Sequence, residues 1–219
     1  KYLGILHEYA ECSEHAQEKG GLNIDRVQGD YYVDARTLGG ERNIGKDGNT
    51  IGAVEKYSKD AEILEKAMLE EPENTRYQFY LAQSYFDSQQ WEKSEEAYAK
   101  RAKMGGWMEE VFYSIFRVGI IKMIQEKPWP DCQDTFLQAF NVWSHRAEPL
   151  YQLAKVHRLN GNPKLAHMFI KRALEIPYPE GDILFIADEM YEWQMLDEFA
   201  AVAFYADDIE NGVNASLHL

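Results

Sequence analysis

Apolar and small residues recur with a helical period from about residue 53 to the C-terminus. Their spacing of three or four residues places side chains on one face of a helix. One such helix opens at Thr75 and ends near residues 88–90, and the next carries Ser94 and Tyr98 on its inner face. The pattern predicts helical hairpins.

The helical pattern repeats along the chain. Leu81 and Leu153 hold equivalent positions 72 residues apart, which is two repeats with a mean length of 36 residues. We place the intervening repeat at Ile115, Phe116 and Gly119, with an insertion around residues 127–130. Stacked hairpins of this length bury their apolar faces against one another and form a solenoid. The predicted fold class is an all-α, tetratricopeptide-like solenoid, preceded by a short irregular or mixed N-terminal segment.

The second helices of the hairpins share an inner face of small and aliphatic residues. In the later repeat these residues are Ala166, Ile170 and Ala173, and in the intervening one Cys132, Phe136 and Ala139. Arg101 stands where the earlier repeat should have a small residue. Past Pro179 we expect helices at 182–189 and 192–205, and the start of another from Asp208.

Residues 18–52 have a different character, because they hold eight of the fifteen glycines of the chain. Glycine at this density predicts loops and short extended pieces, with residues 30–33 as the best strand candidate. We therefore expect a boundary near residue 52, with residues 53–219 as the repeat domain.

Composition and charge argue against several classes of function. The formal net charge is −14 and no basic stripe is visible, which argues against nucleic-acid binding. No apolar run is long enough to cross a membrane. Two distant cysteines favour neither a disulfide framework nor a zinc finger, and a cytoplasmic location is expected.

Blocks of the sequence resemble family 2 glycosyltransferases that carry C-terminal tetratricopeptide repeats. They include the run Tyr-Glu-Trp-Gln-Met-Leu-Asp-Glu at 191–198 and the run Arg-Ala-Glu-Pro-Leu at 146–150. Further blocks lie at 75–85, 97–110 and 176–179. Residues 1–52 resemble the end of the catalytic domain of the same family.

The resemblance implies site residues in this N-terminal part. His7 and Glu8 match a His-Glu pair that follows the last core strand of the catalytic domain, so both are implied as catalytic, with His7 as a metal ligand. The alternative is a solvent-facing pair at a strand end. Arg36 and Arg42 flank a Gly-Gly turn and could bind a diphosphate through their guanidinium groups. The alternative is a surface loop with two ordinary arginines.

The implied function is a nucleotide-sugar-dependent glycosyltransferase that uses Mg²⁺ or Mn²⁺. The chain has no Asp-x-Asp motif to hold that metal, so the donor domain would lie upstream and no cofactor is expected for this chain alone. The repeats would bind a protein or glycan acceptor, or pair two copies into a homo-oligomer. The alternative is a freestanding protein-interaction scaffold without catalytic activity.

Overall fold

The computed structural model describes Tyr2–Leu3, Tyr9–Ala10 and residues 52–219, which fall into two compact units, Lys1–Gln89 and Gln90–Leu219. In the first unit, strands β1 (Tyr2–Leu3) and β2 (Tyr9–Ala10) pair antiparallel. Helices α1 (Ala53–Glu70) and α2 (Thr75–Asp87) pack against each other. The strand expected at 30–33 lies outside the described residues, and the boundary near residue 52 stays a prediction.

The second unit is a succession of helices in which each packs against the next. They are α3 (Trp91–Lys103), α4 (Met108–Ile124), α5 (Trp129–Val142), α6 (Glu148–Leu159) and α7 (Pro163–Leu174), then a π-helical turn (Met190–Gln194), α8 (Met195–Ala203), a 3-10 turn (Phe204–Ala206) and α9 (Ile209–Leu217). This arrangement confirms the all-α hairpin array.

Local sequence signals set several helix ends. The Asn74 side chain accepts a hydrogen bond from the backbone N–H of Tyr77 at 3.1 Å, which caps α2. Proline lies in the first turn of α5, α6 and α7, where its missing N–H costs nothing. Gly161 has a φ of +74° in the turn between α6 and α7, a conformation that favours glycine.

The predicted inner faces of α6 and α7 are buried. Leu153 and Ala154 on α6 are fully buried, as are Ala166, Ile170 and Ala173 on α7. The small residues let the two helices approach, while Leu153 and Ile170 fill the space between them. The periodicity therefore identified the core of this hairpin correctly.

The intervening repeat has a register that differs from the predicted one. A Cβ added to Gly119 would lie 2.7 Å from the Phe136 ring of α5, so Gly119 is the small residue at the α4–α5 contact. Ile115 and Phe116 are only partly buried, whereas Val118 is 8% exposed. The small residue of the first helix then lies at 82, 119 and 154 in the three repeats. The first inner position of the second helix follows 12 residues later at 94, 13 residues later at 132 and 12 residues later at 166. No large insertion near residue 127 is needed.

The helix predicted at 182–189 is wrong. Residues 177–187, here called the 177–187 segment, have no helical structure. Pro177 and Pro179 have no backbone N–H and cannot continue the helical hydrogen bonding of α7, and Phe185 adopts a positive φ of +46°. Two backbone hydrogen bonds form within the segment, from Glu180 to Tyr178 and from Asp182 to Pro179. The backbone groups of residues 183–185 bond instead to the side chains of Glu109 on α4 and Arg146 before α6.

The C-terminal helices agree with the prediction. The π-helical turn, α8 and the following 3-10 turn cover Met190–Ala206, close to the expected 192–205, and α9 forms soon after Asp208. Among the helices that the structure describes, none combines the length and the apolar character required to cross a bilayer.

Candidate partner-binding cleft

A cleft of about 300 Å³ lies between α4 and α6 in the second unit. We call it the α4–α6 cleft. Helix α4 contributes Tyr113, Phe116, Arg117 and Ile120, and α6 contributes Glu148, Tyr151 and Gln152. Arg146, Phe185, Ala187, Met190 and Gln194 complete the lining. The lining combines apolar and aromatic side chains with five charged or amide side chains. Polar groups that converge beside an apolar wall are usual in binding sites.

Aromatic rings form one wall of the cleft. The rings of Tyr113 and Phe185 lie with their centroids 4.9 Å apart, and Phe116 packs against Phe136 at 5.8 Å. Phe185 is 48% exposed although it comes from a segment tied to buried groups. The 177–187 segment therefore presents a large apolar side chain at the edge of the cleft.

Arg146 holds the 177–187 segment in place. Its side chain is 1% exposed, and its guanidinium donates to the Glu148 carboxylate at 2.6 to 3.1 Å. The same guanidinium donates to Asp182 at 3.3 Å and to the carbonyl oxygens of Leu184 and Phe185 at 3.2 and 3.1 Å. One buried cation thus binds two carboxylates and two backbone carbonyls.

Glu109 binds the same segment from the start of α4. Its Oε2 accepts hydrogen bonds from the backbone N–H groups of Ile183 and Leu184 at 2.8 and 2.7 Å. Its Oε1 accepts from the indole N–H of Trp107 at 3.2 Å. Glu109 accepts hydrogen bonds from backbone N–H groups of the segment, and Arg146 donates to its backbone carbonyl groups. These two side chains therefore satisfy backbone groups that would be paired with other backbone groups in a helix or a strand.

The charges of this network reinforce one another. Burial acts to raise the pKa of the Asp182 carboxyl, but hydrogen bonds from His145, Trp143 and Arg146 prevail and hold it below the ordinary value. Burial acts to lower the pKa of Arg146, and Glu148 outweighs it, so that pKa is raised. Arg146 and Asp182 therefore stay ionised at neutral pH.

Tyr191 links the network to the backbone that precedes α6. Its hydroxyl donates to Glu148 at 3.0 Å and accepts from the backbone N–H of Ala147 at 2.8 Å. Burial, followed by the negative charge of Glu148, raises the pKa of Tyr191 well above its usual range. Tyr191 remains a neutral hydrogen-bonding group that fixes the position of Glu148.

The α4–α6 cleft has one carboxylate in its lining, Glu148, which is engaged by Arg146 and Tyr191. Within residues 52–219 no cluster of His, Cys, Asp or Glu could hold a metal ion. An apolar wall beside fixed hydrogen-bonding groups suits an extended chain carrying large side chains.

The site residues predicted from the sequence belong to the N-terminal part of the chain. His7, Glu8, Arg36 and Arg42 all lie outside the described residues, so their expected catalytic, metal-binding and diphosphate-binding roles stay predictions.

Sequence reasoning missed the network around Arg146. The residues 146–150 served only to support the family resemblance. A partial signal was present, because Arg146 and Glu148 are charged residues of opposite sign at the start of a helix whose inner face carries Leu150, Leu153 and Ala154. Charged residues are seldom buried unless paired, so two opposite charges beside that apolar face are compatible with a buried pair.

The sequence matches no protein-family model and no curated protein. Solved structures are similar in fold. BtubC (BKLC) from P. vanneervenii gives a TM-score of 0.57 at 16% identity, covering 73% of this chain and 70% of that one. MamA gives 0.55 at 14% identity, covering 74% and 86%. A MamA RS-1 double mutant gives 0.55 at 10% identity, covering 74% and 83%.

These likenesses define the fold class. The chain has a tetratricopeptide-type helical-repeat fold, as expected from its periodicity. At identities of 16% or less they show the fold alone, and none of these proteins is described as a glycosyltransferase.

Proposed function

We propose that this chain is a protein-interaction scaffold that binds a segment of another protein in the α4–α6 cleft. The observation that carries the proposal is the cleft itself, an aromatic and polar recess of about 300 Å³ on a helical-repeat array. Repeat arrays offer extended surfaces of this kind because each hairpin adds another helix to a continuous face.

The way the chain holds its own 177–187 segment supports this proposal. Glu109 and Arg146 bind the N–H and carbonyl groups of non-helical backbone, and Phe185 sets its ring against Tyr113. A partner segment in the adjoining cleft would meet the same combination of aromatic wall and polar side chains. Buried aromatic anchors commonly carry most of the affinity of such interfaces.

Selection of short random peptides on the whole chain tests the proposal. Enriched peptides are synthesised and titrated by calorimetry against the wild type, Ala187→Trp and Lys155→Trp. Ala187 is exposed and lines the cleft, so tryptophan there fills it, whereas Lys155 is exposed on α6 outside the lining. We expect Ala187→Trp to weaken binding by about tenfold or more and Lys155→Trp to leave it unchanged.

Enriched peptides that bind Ala187→Trp as tightly as the wild type would place the interaction elsewhere. A selection that enriches no peptide would contradict the scaffold function itself. Circular dichroism melts of both variants show whether either substitution has disturbed the fold.

The glycosyltransferase activity stays a prediction that rests on the sequence blocks at 75–85, 97–110, 146–150, 176–179 and 191–198. The glycan acceptor, the homo-oligomer and the cytoplasmic location are predictions of the same standing. Calorimetric titration with UDP and Mn²⁺ tests the activity. This chain is expected not to bind them, whereas a longer chain with the upstream sequence should; failure of the longer chain would remove the enzyme hypothesis.

A further inference from the structure

A second recess of about 360 Å³ lies where α3, α4 and α5 meet. We call it the α3–α5 groove. Its lining is Ala99, Ala102 and Lys103 from α3, Ile115, Val118 and Lys122 from α4, and Thr135 and Gln138 from α5. All of these residues belong to the second unit.

The α3–α5 groove is distinct from the α4–α6 cleft. Helix α4 gives residues 113, 116, 117 and 120 to the cleft and residues 115, 118 and 122 to the groove. At 3.6 residues per turn, the centres of these two sets lie about half a turn apart on α4. One helix therefore separates two recesses, and a partner in one would leave the other open.

The floor of the groove is apolar and made mostly of small side chains. Ala99 and Ala102 leave space that longer side chains would fill, and Ile115 and Val118 line the bottom. Val118 is 8% exposed, whereas Ala99, Ala102 and Ile115 are only partly buried, so part of the apolar floor is open to solvent. A recess of this kind accepts aliphatic side chains from outside, because burying them removes apolar surface from water.

The lining of the groove is positively charged, whereas the chain as a whole is negatively charged. The chain carries 37 acidic and 23 basic residues, yet the lining holds two lysines and no carboxylate. Lys122 donates to the Thr135 hydroxyl at 2.8 Å and lies 3.5 Å from the Asp131 carbonyl, both neutral oxygens. Among the described residues, neither Lys103 nor Lys122 forms an ion pair, unlike Lys59, Lys127 and Lys171.

We propose that the α3–α5 groove binds an acidic protein segment that places aliphatic side chains on the alanine-lined floor and carboxylates beside Lys103 and Lys122. The lysines are complementary in charge to the carboxylates of the segment, and the floor provides apolar surface that its aliphatic side chains can bury. A free anion would not use the apolar floor. A nucleic acid would meet only two cations on a chain with a net charge of −14.

Three synthetic fluorescein-labelled peptides test this partner class by fluorescence anisotropy. The first is Gly-Asp-Leu-Glu-Glu-Leu-Asp-Gly, the second replaces both leucines by serine, and the third replaces every acidic residue by lysine. We expect the first peptide to bind about tenfold or more tighter than either of the others, and its affinity to fall with added salt.

Matched variants locate the binding. Lys103→Glu reverses an exposed charge of the lining, and Lys100→Glu makes the same change on an exposed lysine of α3 outside it. We expect Lys103→Glu to weaken the first peptide about tenfold and Lys100→Glu to change its affinity less than about twofold. Both lysines are exposed and lie in the last turn of α3, so the two charge reversals should lower the melting temperature slightly and to a similar extent.

Equal binding of the leucine and serine peptides, equal effects of the two variants, or no binding up to about 1 mM peptide would each overturn the proposal. The result is separable from that of the scaffold function. Binding in the α3–α5 groove responds to Lys103→Glu and not to Ala187→Trp, and binding in the α4–α6 cleft responds in the opposite way.

Discussion

Arg101 and Arg146 are both buried arginines paired with glutamate, but they hold different parts of the chain. Arg101 donates twice to Glu110 Oε2, at 3.0 and 2.8 Å, and once to the carbonyl of Gly105 at 2.7 Å. Its partners lie four and nine residues away, so it closes the turn between α3 and α4. Arg146 reaches Asp182 and Phe185, which lie 36 and 39 residues further along.

The difference shows two uses of a buried charge in one array. Arg101 replaces the small residue expected at its position, and a glycine-containing turn takes up the space between helices. Arg146 fixes a segment that has no regular structure of its own. Removing one partner of a buried pair is costly, because the other charge remains buried without compensation. The two arginines should therefore be equally important for stability and unequal in what they order.

Arg146→Met should have the largest effect. It leaves Glu148 and Asp182 without their shared cation, and we expect a loss of about 3–5 kcal/mol in the free energy of unfolding, measured by urea denaturation. Hydrogen exchange of the 177–187 segment should accelerate at the same time. Arg101→Met is the matched control, with a similar loss of stability and unchanged exchange in that segment. Faster exchange there in both variants would show that the two networks do not act separately.

Leu153→Ala should cost about 2–5 kcal/mol, because it opens a cavity in the fully buried α6–α7 contact. The measurement is the same urea titration. Leu159→Ala on the same helix is the control, since Leu159 is 66% exposed and should change the stability little. A loss no larger than that of Leu159→Ala would show that Leu153 does not fill the contact between α6 and α7.

Gly119→Ala should cost about 1–3 kcal/mol. The new methyl group would lie 2.7 Å from Cε1 of Phe136, whose ring is fully buried and has little room to move. Gly181→Ala is the control, because nothing lies within 4 Å of its added Cβ. Thermal melts of both variants distinguish a real close approach of α4 and α5 from a general effect of replacing glycine.

Acid should weaken the Arg146 network through Asp182. The pKa of Asp182 is lower in the folded chain than when unfolded, so its ionised form contributes stability above the ordinary pKa near 4. That contribution is lost as the pH falls through the lowered value. We expect the Trp143 indole N–H resonance, which reports on Asp182, to shift over this range. An identical shift in Asp182→Asn would assign it to another group.

The sequence predicted the helices well because their inner faces are periodic, as Leu153, Ala154 and Ala166 illustrate. It misplaced the register of α4 because a shift of three residues is close to one helical turn and keeps nearly the same face inward. The contact between Gly119 and Phe136 and the burial of Val118 decide between the two registers.

The 177–187 segment could not be predicted, because the groups that decide its conformation lie far away in sequence. Pro177, Pro179 and Gly181 indicated a break in helical structure but not the path of the backbone beyond that break. Neither recess could be read from periodicity, since each needs side chains from several helices to meet. The predicted sites at His7, Glu8, Arg36 and Arg42 remain untested predictions.

The bonds from Glu109 to Ile183 and Leu184 span 74 and 75 residues, while most helix contacts in the second unit join sequence neighbours. An array held only by neighbouring contacts melts repeat by repeat, in the manner of a one-dimensional lattice. The contact between Glu109 at the start of α4 and the 177–187 segment after α7 joins parts of the array that are not sequence neighbours. It therefore adds an interaction that a model with only nearest-neighbour contacts does not include. The hairpins α4–α5 and α6–α7 should consequently lose structure together, as one cooperative block.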